Sequence, residues 1–232
     1  MEIFNTIIDY LASCFATSVT TEQFVQAFYD TLIMVVFSLI LGSLIGIPLG
    51  ICLVTTRPYG LLENSRVFRI INPIINIVRS LPFIILLVAI QPLTKVIVNS
   101  SIGTIAAIVP LTFYVAPYIA RLVENSLLDV NSGIIEAAQS MGATPIQIIW
   151  YFMLPEAFSS LILTLTTATI GLIGATAMAG AIGAGGIGDL AVSYGYQRFD
   201  NTVTYICVVI LVIAIQFIQN TGNYLARKAR HE

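Results

Sequence analysis

Residues 136–155 read EAAQSMGATPIQIIWYFMLP, a polar-to-amphipathic stretch that separates two long apolar segments of the chain. The whole chain has 232 residues, of which 57% are hydrophobic and 9% are charged, and its mean hydropathy is +0.93. Soluble domains carry about 25% charged residues, so a packed soluble core cannot account for so little charge. Most of the surface must therefore face lipid, and residues 136–155 must connect membrane-crossing segments.

The backbone can cross hydrocarbon only as helices or as a closed barrel, because unpaired N–H and C=O groups are too costly there. Barrel strands alternate apolar and polar residues over roughly 10 positions. The uncharged runs of this chain reach 32 residues, from Ala157 to Gly188, and do not alternate. We therefore predict an all-α, polytopic membrane protein.

Five transmembrane helices are predicted from uncharged stretches that can cross about 30 Å of hydrocarbon. These stretches are Thr31–Thr56, Ser80–Thr94, Val96–Ala120, Ala157–Gly188 and Asn201–Ala226. The second stretch has only 15 residues, so it spans only if Arg79 and Lys95 extend to the interfaces. A re-entrant segment is the alternative.

The chain then divides into three parts. Residues 1–30 form an N-terminal extracytoplasmic or interfacial segment, residues 31–226 a single transmembrane domain, and residues 227–232 a cytoplasmic tail.

Two local patterns lie in the N-terminal segment. Apolar residues at helical spacing between Phe4 and Phe15 predict a short interfacial helix. Thr20 and Gln23 have the spacing of a capping box, which would start a second helix that runs into the membrane.

The basic residues predict the orientation, because Lys and Arg are enriched on the cytoplasmic side. With five spans, one side holds Arg57, Arg66, Arg69, Arg79, Arg121, Arg227, Lys228 and Arg230. The other side holds only Lys95 and Arg198. The N-terminus is therefore predicted outside, and residues 136–155 and the C-terminus inside. A re-entrant Ser80–Thr94 would reverse everything after Lys95.

Small residues mark helix contacts in two of the predicted spans. Gly42, Gly46 and Gly50 recur every four residues, a spacing that lets helix backbones approach closely. The alternative is the generally higher glycine content of membrane helices. Met178 lies among small residues and either fills the core or forms a constriction in a pathway. The glycine run from Gly183 to Gly188 predicts a broken helix end rather than a dinucleotide site, because a membrane helix precedes it.

Several classes of function are excluded by what the sequence lacks. Neither lysine follows a P-loop glycine pattern, so this chain is not expected to hydrolyse ATP by that route. The single histidine is His231 and the three cysteines are isolated, so we predict no catalytic residue, no metal site and no cofactor held by this chain. The net charge of −2 gives no indication of nucleic-acid binding. The predicted spans carry no ionisable residue in their middle, so energy for uphill transport would have to come from another subunit. A membrane enzyme and a passive channel or scaffold are the alternatives.

Residues 131–155, here called the connecting segment, are predicted to form two short interfacial helices. Asn131 or Ser132 can cap the first helix, and Gly142 ends or thins it. Pro145 suits the first turn of the second helix. The apolar face of that second helix is formed by Ile148, Ile149 and Phe152.

The connecting segment also resembles a known family. Glu136-Ala137-Ala138, then Gly142, then Leu154-Pro155 match the cytoplasmic signature of binding-protein-dependent ABC importer permeases, in which E-A-A and G are followed by I-x-L-P. Phe152 stands where that family usually has Ile, which keeps an apolar group. Residues 76–92, 103–130, 136–148 and 177–191 are similar to the permeases of methionine importers.

The resemblance implies a homodimer of five-span subunits in the bacterial inner membrane, with a methionine pathway at their interface. Another small apolar or sulfur-containing amino acid is the alternative substrate. Two ATPase subunits that hold MgATP would dock inside, and a substrate-binding protein would dock outside. The implied ATPase-coupling residues are Glu136, Ala137, Ala138, Gly142, Ala143, Pro145, Leu154 and Pro155. Met178 matches the family's methionine at the closed gate, and Thr176 and Gly174 are grouped with it as pathway residues.

Overall fold

The computed structural model describes residues 18–230, and across this range the chain forms helices and no strand, which confirms the all-α prediction. The predicted interfacial helix between Phe4 and Phe15 lies outside the described residues. The helices are α1 (Thr21–Thr56), α2 (Ser65–Ser80), α3 (Phe83–Ala89), α4 (Gln91–Val98), α5 (Thr104–Leu128), α6 (Ser132–Ser140), α7 (Pro145–Ile148), α8 (Leu154–Glu156), α9 (Phe158–Gly180), α10 (Ile187–Leu190) and α11 (Asn201–Ala229). Two π-helical turns, Ile149–Met153 and Ala191–Tyr196, complete the secondary structure.

Four helices are long and apolar enough to cross a membrane: α1, α5, α9 and α11. The number rises to five if α2 and α3, which meet at 108°, together form one broken span. The N-out orientation and the count of five stay predictions.

The stretch Ser80–Thr94 is not one helix, which corrects the predicted bounds of the second span. Leu81 is extended, with φ −80° and ψ 130°, and Pro82 precedes the first residue of α3. A residue before proline is driven out of the helical region by a clash with the proline ring. Helix α3 then ends at Ala89, and α4 begins at Gln91 with a proline in its first turn. The uncharged stretch Ser80–Thr94 is therefore apolar, but it is divided among three helices and does not form a continuous one.

Helix α1 begins at Thr21, ten residues before the predicted start of the first span. The predicted capping box is confirmed: the backbone N–H of Thr20 donates to Gln23 Oε1 at 2.9 Å, and Gln23 N–H donates to Thr20 Oγ1 at 3.4 Å. The predicted span began after Asp30 because that residue is charged, but the helix passes through it. The Asp30 carboxylate accepts a hydrogen bond from Gln26, one turn earlier, at 3.0 Å, which makes the charge tolerable there. The helix thus runs without a break across residues 30 and 31.

Helix α5 is the centre of the fold. In an apolar stretch of 18 residues of α5, 56% of the residues are buried, against 11% in the corresponding stretch of α11. The core around it is filled by large side chains with almost no exposure, among them Leu111, Ile119, Leu127 and Leu172. Helix α11 instead presents most of its apolar surface outward.

The charged residues Arg121 and Glu124 lie inside α5, although the predicted span ended at Ala120. Arg121 pairs with Glu124 and donates to Asn72 Oδ1 and Asn76 Oδ1, both at 2.7 Å. Both asparagines belong to α2, so the network ties α2 to α5. The terminal nitrogens of Arg121 are thus paired, while its buried Nε has no hydrogen-bond partner among the described residues. A charge held by several neighbours does not have to end a membrane helix.

The glycine run after α9 forms a broken end, as predicted. Gly183, Gly185 and Gly186 have φ values of 90°, 78° and 85°, which glycine adopts without a Cβ clash. The turn is held by distant partners: Gly103 N–H donates to Gly183 O at 3.0 Å, and Ile187 N–H donates to Thr31 Oγ1 at 2.9 Å.

Candidate functional site

The first half of the connecting segment is helix α6. Asn131 caps it, since its Oδ1 accepts a hydrogen bond from Gly133 N–H at 2.8 Å. Of the three E-A-A residues, Ala138 has no exposed surface, whereas Glu136 and Ala137 are exposed. One side of this helix is therefore built into the protein body and the other faces outward.

Gly142 ends the first helix in a Schellman motif. Ala143 N–H donates to Ala138 O at 3.1 Å and Gly142 N–H donates to Gln139 O at 2.9 Å, which satisfies two carbonyl groups at the helix end. The φ of Gly142 is 81°, and a Cβ added there would meet no atom within 4 Å. Inside this chain, the glycine is thus required by its backbone angle and not by crowding.

The second half begins with another capping box. Thr144 N–H donates to Gln147 Oε1 at 2.8 Å, and Pro145 is the first residue of α7. A π-helical turn follows, in which Leu154 N–H donates to Ile149 O. Pro155, directly after it, has no N–H to continue the α-helical pattern.

The buried face of the second half consists of Ile148, Ile149 and Met153, all with less than a tenth of their surface exposed. Phe152 packs at the edge of the same core. This confirms an apolar face at the predicted positions and adds Met153, which the π-helical turn rotates inward.

The outward face of the connecting segment carries large apolar side chains. Met141, Ile146, Trp150 and Tyr151 are 70%, 65%, 64% and 73% exposed. Exposed apolar patches of this kind mark contacts with a partner or a membrane. Sequence reasoning missed these residues, because they fall off the stripe formed by Ile148, Ile149 and Phe152.

A cavity of about 370 Å³ lies between α6 and the loop that follows α1. Arg57 and Tyr59 line it from the loop, and Glu136 and Gln139 line it from α6. Tyr59 is fully exposed and has a φ of 65°. Across residues 18–230 no group of three or more His, Cys, Asp or Glu side chains could hold a metal ion.

Helix α9 continues directly from the connecting segment and has one exposed, narrow face. Gly174 and Met178, four residues apart, lie on it, and Met178 is 51% exposed. A Cβ added at Gly174 would meet no atom within 4 Å. Thr167 and Gly171 extend the same stripe toward the connecting segment, at positions that i, i+4, i+7, i+11 spacing could have identified.

Thr176 does not share that face. It is 3% exposed, and its hydroxyl donates to Ile173 O of its own helix at 2.7 Å. Other threonines of α9 bond back in the same way, to carbonyls four residues earlier: Thr166, Thr167 and Thr169. Such local bonds satisfy the hydroxyl within one helix, so most of these threonines serve the fold.

Aromatic side chains border the exposed face of α9. A Cβ at Gly171 would lie 3.9 Å from the ring of Tyr118. That ring stacks on Tyr114 at a centroid distance of 6.4 Å, and the guanidinium of Arg79 lies 5.9 Å from its centre. Sequence reasoning did not single out this group, since Arg79 and Tyr118 are 39 positions apart.

The matches to known proteins agree with this geometry. Residues 42–231 match the pattern of the binding-protein-dependent transport system inner membrane component family. The chain belongs to this family. It is therefore a multi-pass transport component of the bacterial inner membrane, as predicted.

Two relatives illustrate the similarity. The chain is 45% identical over 228 residues to the probable D-methionine transport system permease protein MetI of Vibrio cholerae, covering 98% of this chain and 99% of that protein. It is 49% identical over 156 residues to the D-methionine transport system permease protein MetI of Escherichia coli, covering 67% and 72%.

Solved structures give the same fold. An inward-facing structure of the MetNI methionine ABC transporter matches with a TM-score of 0.89 and 44% identity, covering 92% of this chain and 99% of that chain. An amino acid ABC transporter crystallised with histidines matches with a TM-score of 0.74 at 18% identity, which concerns the fold alone.

Proposed function

We propose that this chain is the permease subunit of an ATP-binding-cassette importer that brings methionine, in its L or D form or both, into the cell. The connecting segment carries the proposal, because one face is anchored in the helical body and the other is presented to a partner. Relatives named as D-methionine permeases support the substrate. Another small apolar or sulfur-containing amino acid is the alternative.

Two separate ATPase subunits dock on the outward face of the connecting segment. Glu136, Ala137 and Gly142 are exposed there, beside the apolar side chains of Met141 and Ile146. The remaining coupling residues, Ala138, Ala143, Pro145, Leu154 and Pro155, set the shape of the connecting segment. Ala138 is buried, Ala143, Pro145 and Leu154 are half-buried, and Pro155 is exposed. The ATPase subunits hold MgATP, so this chain binds no cofactor and has no catalytic residue.

Movement of the docked segment reaches the membrane through continuous backbone. Ala157 N–H donates to Met153 O at 2.9 Å, and Leu161 N–H donates to Ala157 O at 2.8 Å. These bonds join the end of the connecting segment to the first turn of α9. Closure of the ATPase pair therefore tilts or rotates α9, and hydrolysis reverses the movement, an alternating-access switch biased by partner contacts.

The exposed stripe of α9 faces a second copy of the chain, and the substrate pathway lies between the copies. The half-exposed thioether of Met178 closes this pathway, while Gly174 leaves room beside it. A substrate-binding protein delivers methionine from the extracytoplasmic side. Lipid covers the remaining outer surface, and nucleic acid has no part.

The docking step is tested by comparing Gly142→Arg with Gly142→Asn. Both variants put a side chain on a backbone with positive φ, but asparagine tolerates that conformation and is small. Arginine adds bulk and charge to the docking face. We expect Gly142→Asn to retain uptake of labelled methionine and co-purification of the ATPase, and Gly142→Arg to lose both.

Retention of both properties by Gly142→Arg would contradict docking at this face. A wild-type chain that co-purifies with no ATPase would instead favour a passive channel or scaffold. Competition by unlabelled amino acids in the same uptake assay identifies the substrate. If a different small apolar amino acid competes better than methionine, the transport mechanism stands and the substrate assignment fails.

A further inference from the structure

A small pocket lined mostly by apolar surface lies where the first turn of α9 meets the last turns of α11. Its volume is about 130 Å³, and it is lined by Ser159, Leu163, Asn223, Ala226, Arg227 and Arg230. The α11 positions fall at i, i+3, i+4 and i+7, which places them on one helical face. The Ser159 hydroxyl donates to Ala226 O at 2.9 Å and holds the two helices together at this point.

Of the described residues that line the pocket, two are arginines and none is acidic. Among residues 18–230 the only ion pair joins Arg121 and Glu124. Arg227 and Arg230 are exposed and form no ion pair with any carboxylate in that range. Two guanidinium groups side by side suit the oxygens of a phosphate, which they can bind through paired N–H groups.

Asn223 adds a neutral donor to the same pocket. Its Oδ1 accepts a hydrogen bond from Gln219 Nε2 at 3.1 Å, which leaves the Nδ2 hydrogens available. The Ser159 hydroxyl already donates its hydrogen to Ala226 O, so it offers no donor to the pocket. Its oxygen is neutral and brings no negative charge to the lining. The lining thus offers donors and positive charge, the combination that an anion requires.

The surroundings distinguish a lipid from a soluble anion. Leu163 forms an apolar wall of the pocket, and the outer surface of α11 nearby exposes Phe217 and Leu225, by 70% and 47%. Acyl chains gain from such a surface, whereas free phosphate gains nothing from it. The pocket also lies at the C-terminal end of α11, which is long and apolar enough to cross a membrane. In the predicted orientation this end faces the cytoplasm, where basic pockets between helices suit anionic headgroups.

We propose that this pocket binds the headgroup phosphate of an anionic phospholipid in the cytoplasmic leaflet, with its acyl chains along α11. The bound lipid joins α9 to α11 beside the connecting segment. It therefore sits at the start of the helix that moves during transport.

The test uses the full transporter complex, purified in detergent and stripped of lipid. Phosphatidylglycerol, cardiolipin, phosphatidylcholine and inorganic phosphate are added in turn. Bound lipid is counted by native mass spectrometry while the unfolding midpoint is followed. We expect both anionic lipids to bind and raise the midpoint, and phosphatidylcholine to do neither. Each arginine that bonds the phosphate directly contributes about a tenfold gain in affinity, so Arg227→Gln with Arg230→Gln should lower affinity roughly a hundredfold.

Matched controls separate the pocket from general surface charge. Lys228→Gln removes one positive charge next to the pocket, and Arg66→Gln with Arg69→Gln removes two from exposed positions on α2. We expect the α2 variant to bind the lipid almost as the wild type does, and Lys228→Gln to lose no more than about fivefold in affinity. Leu163→Phe fills the pocket without changing charge and should weaken binding even if the double arginine variant is unstable.

Three results would overturn the proposal. One is equal loss of binding in the control variants, which would indicate a general surface potential. Another is equal binding of phosphatidylcholine. The third is stabilisation by inorganic phosphate that matches the effect of the lipids, which would assign the pocket to a free anion.

Discussion

Gly42, Gly46 and Gly50 line one face of α1, and Gly171 and Gly174 line one face of α9, yet the two sets meet opposite surroundings. A Cβ at Gly46 would lie 2.5 Å from Ala116 O and 2.9 Å from Ile119 Cβ, and one at Gly50 would lie 2.6 Å from Ala120 O. A Cβ at Gly174 would meet nothing within 4 Å. The first set lets α1 and α5 touch inside one subunit, whereas the second leaves a narrow face open to the outside. The same residue type therefore holds the subunit together in one place and leaves space for a partner in the other.

The largest effect is expected from Gly46→Leu. A leucine cannot fit while α1 and α5 keep their separation, because the obstructing atoms include a backbone carbonyl. Overpacking of this severity costs about 3 kcal/mol or more. We expect little folded protein, measured as the yield of monodisperse protein after detergent extraction. Gly174→Leu is the matched control and should fold, so equal yields from the two variants would break the comparison.

A functional effect with little change in stability is expected from Met178→Ala. Its side chain is 51% exposed on the open face, so the free energy of unfolding of the subunit should change by less than about 0.5 kcal/mol. If this side chain closes the pathway between two copies, its removal raises basal ATP hydrolysis or leak of substrate through reconstituted vesicles. The buried Met153→Ala serves as a control, since it should lower stability instead. An unchanged basal rate and unchanged leak would remove Met178 from the gate.

The smallest effect is expected from Gly174→Ala. In a subunit on its own, the added methyl meets no atom, and alanine favours the helix over glycine by about 1 kcal/mol. Thermal unfolding of the dissociated subunit should therefore shift slightly upward. A fall in transport together with that rise would show that another chain covers this face. Lower stability of the subunit would mean that the face is already packed within it.

The local structure of the connecting segment was predictable because its signals act within a few residues. Asn131 caps α6 and Gly142 takes a positive φ, as their residue types indicate. Pro145 starts α7 for the same reason. The pattern of exposure was less predictable: Met153 is buried and Ile146 is exposed. Those outcomes depend on the π-helical turn and on which helices pack against the segment.

The bounds of the membrane helices were less well predicted, because each predicted span was limited to residues between two charged side chains. Asp30 and Arg121 both lie within helices, and each has hydrogen-bond partners that make its position tolerable. The partners of Arg121 on α2 are 45 and 49 positions away, too distant for a local pattern to show. Pro82 did carry a local signal, and it breaks the stretch that was predicted as the second span.

By itself, the sequence determined that the chain folds as helices in lipid, where those helices are capped or broken by glycine and proline, and which segment carries the family signature. Only the tertiary structure decided which apolar faces form the core, which face of α9 is open, and how Arg121 is paired. The physical reason is that lipid and protein core are both apolar. Hydrophobicity therefore separates membrane from water, but packing alone separates the inside of the subunit from its lipid-facing and partner-facing surfaces.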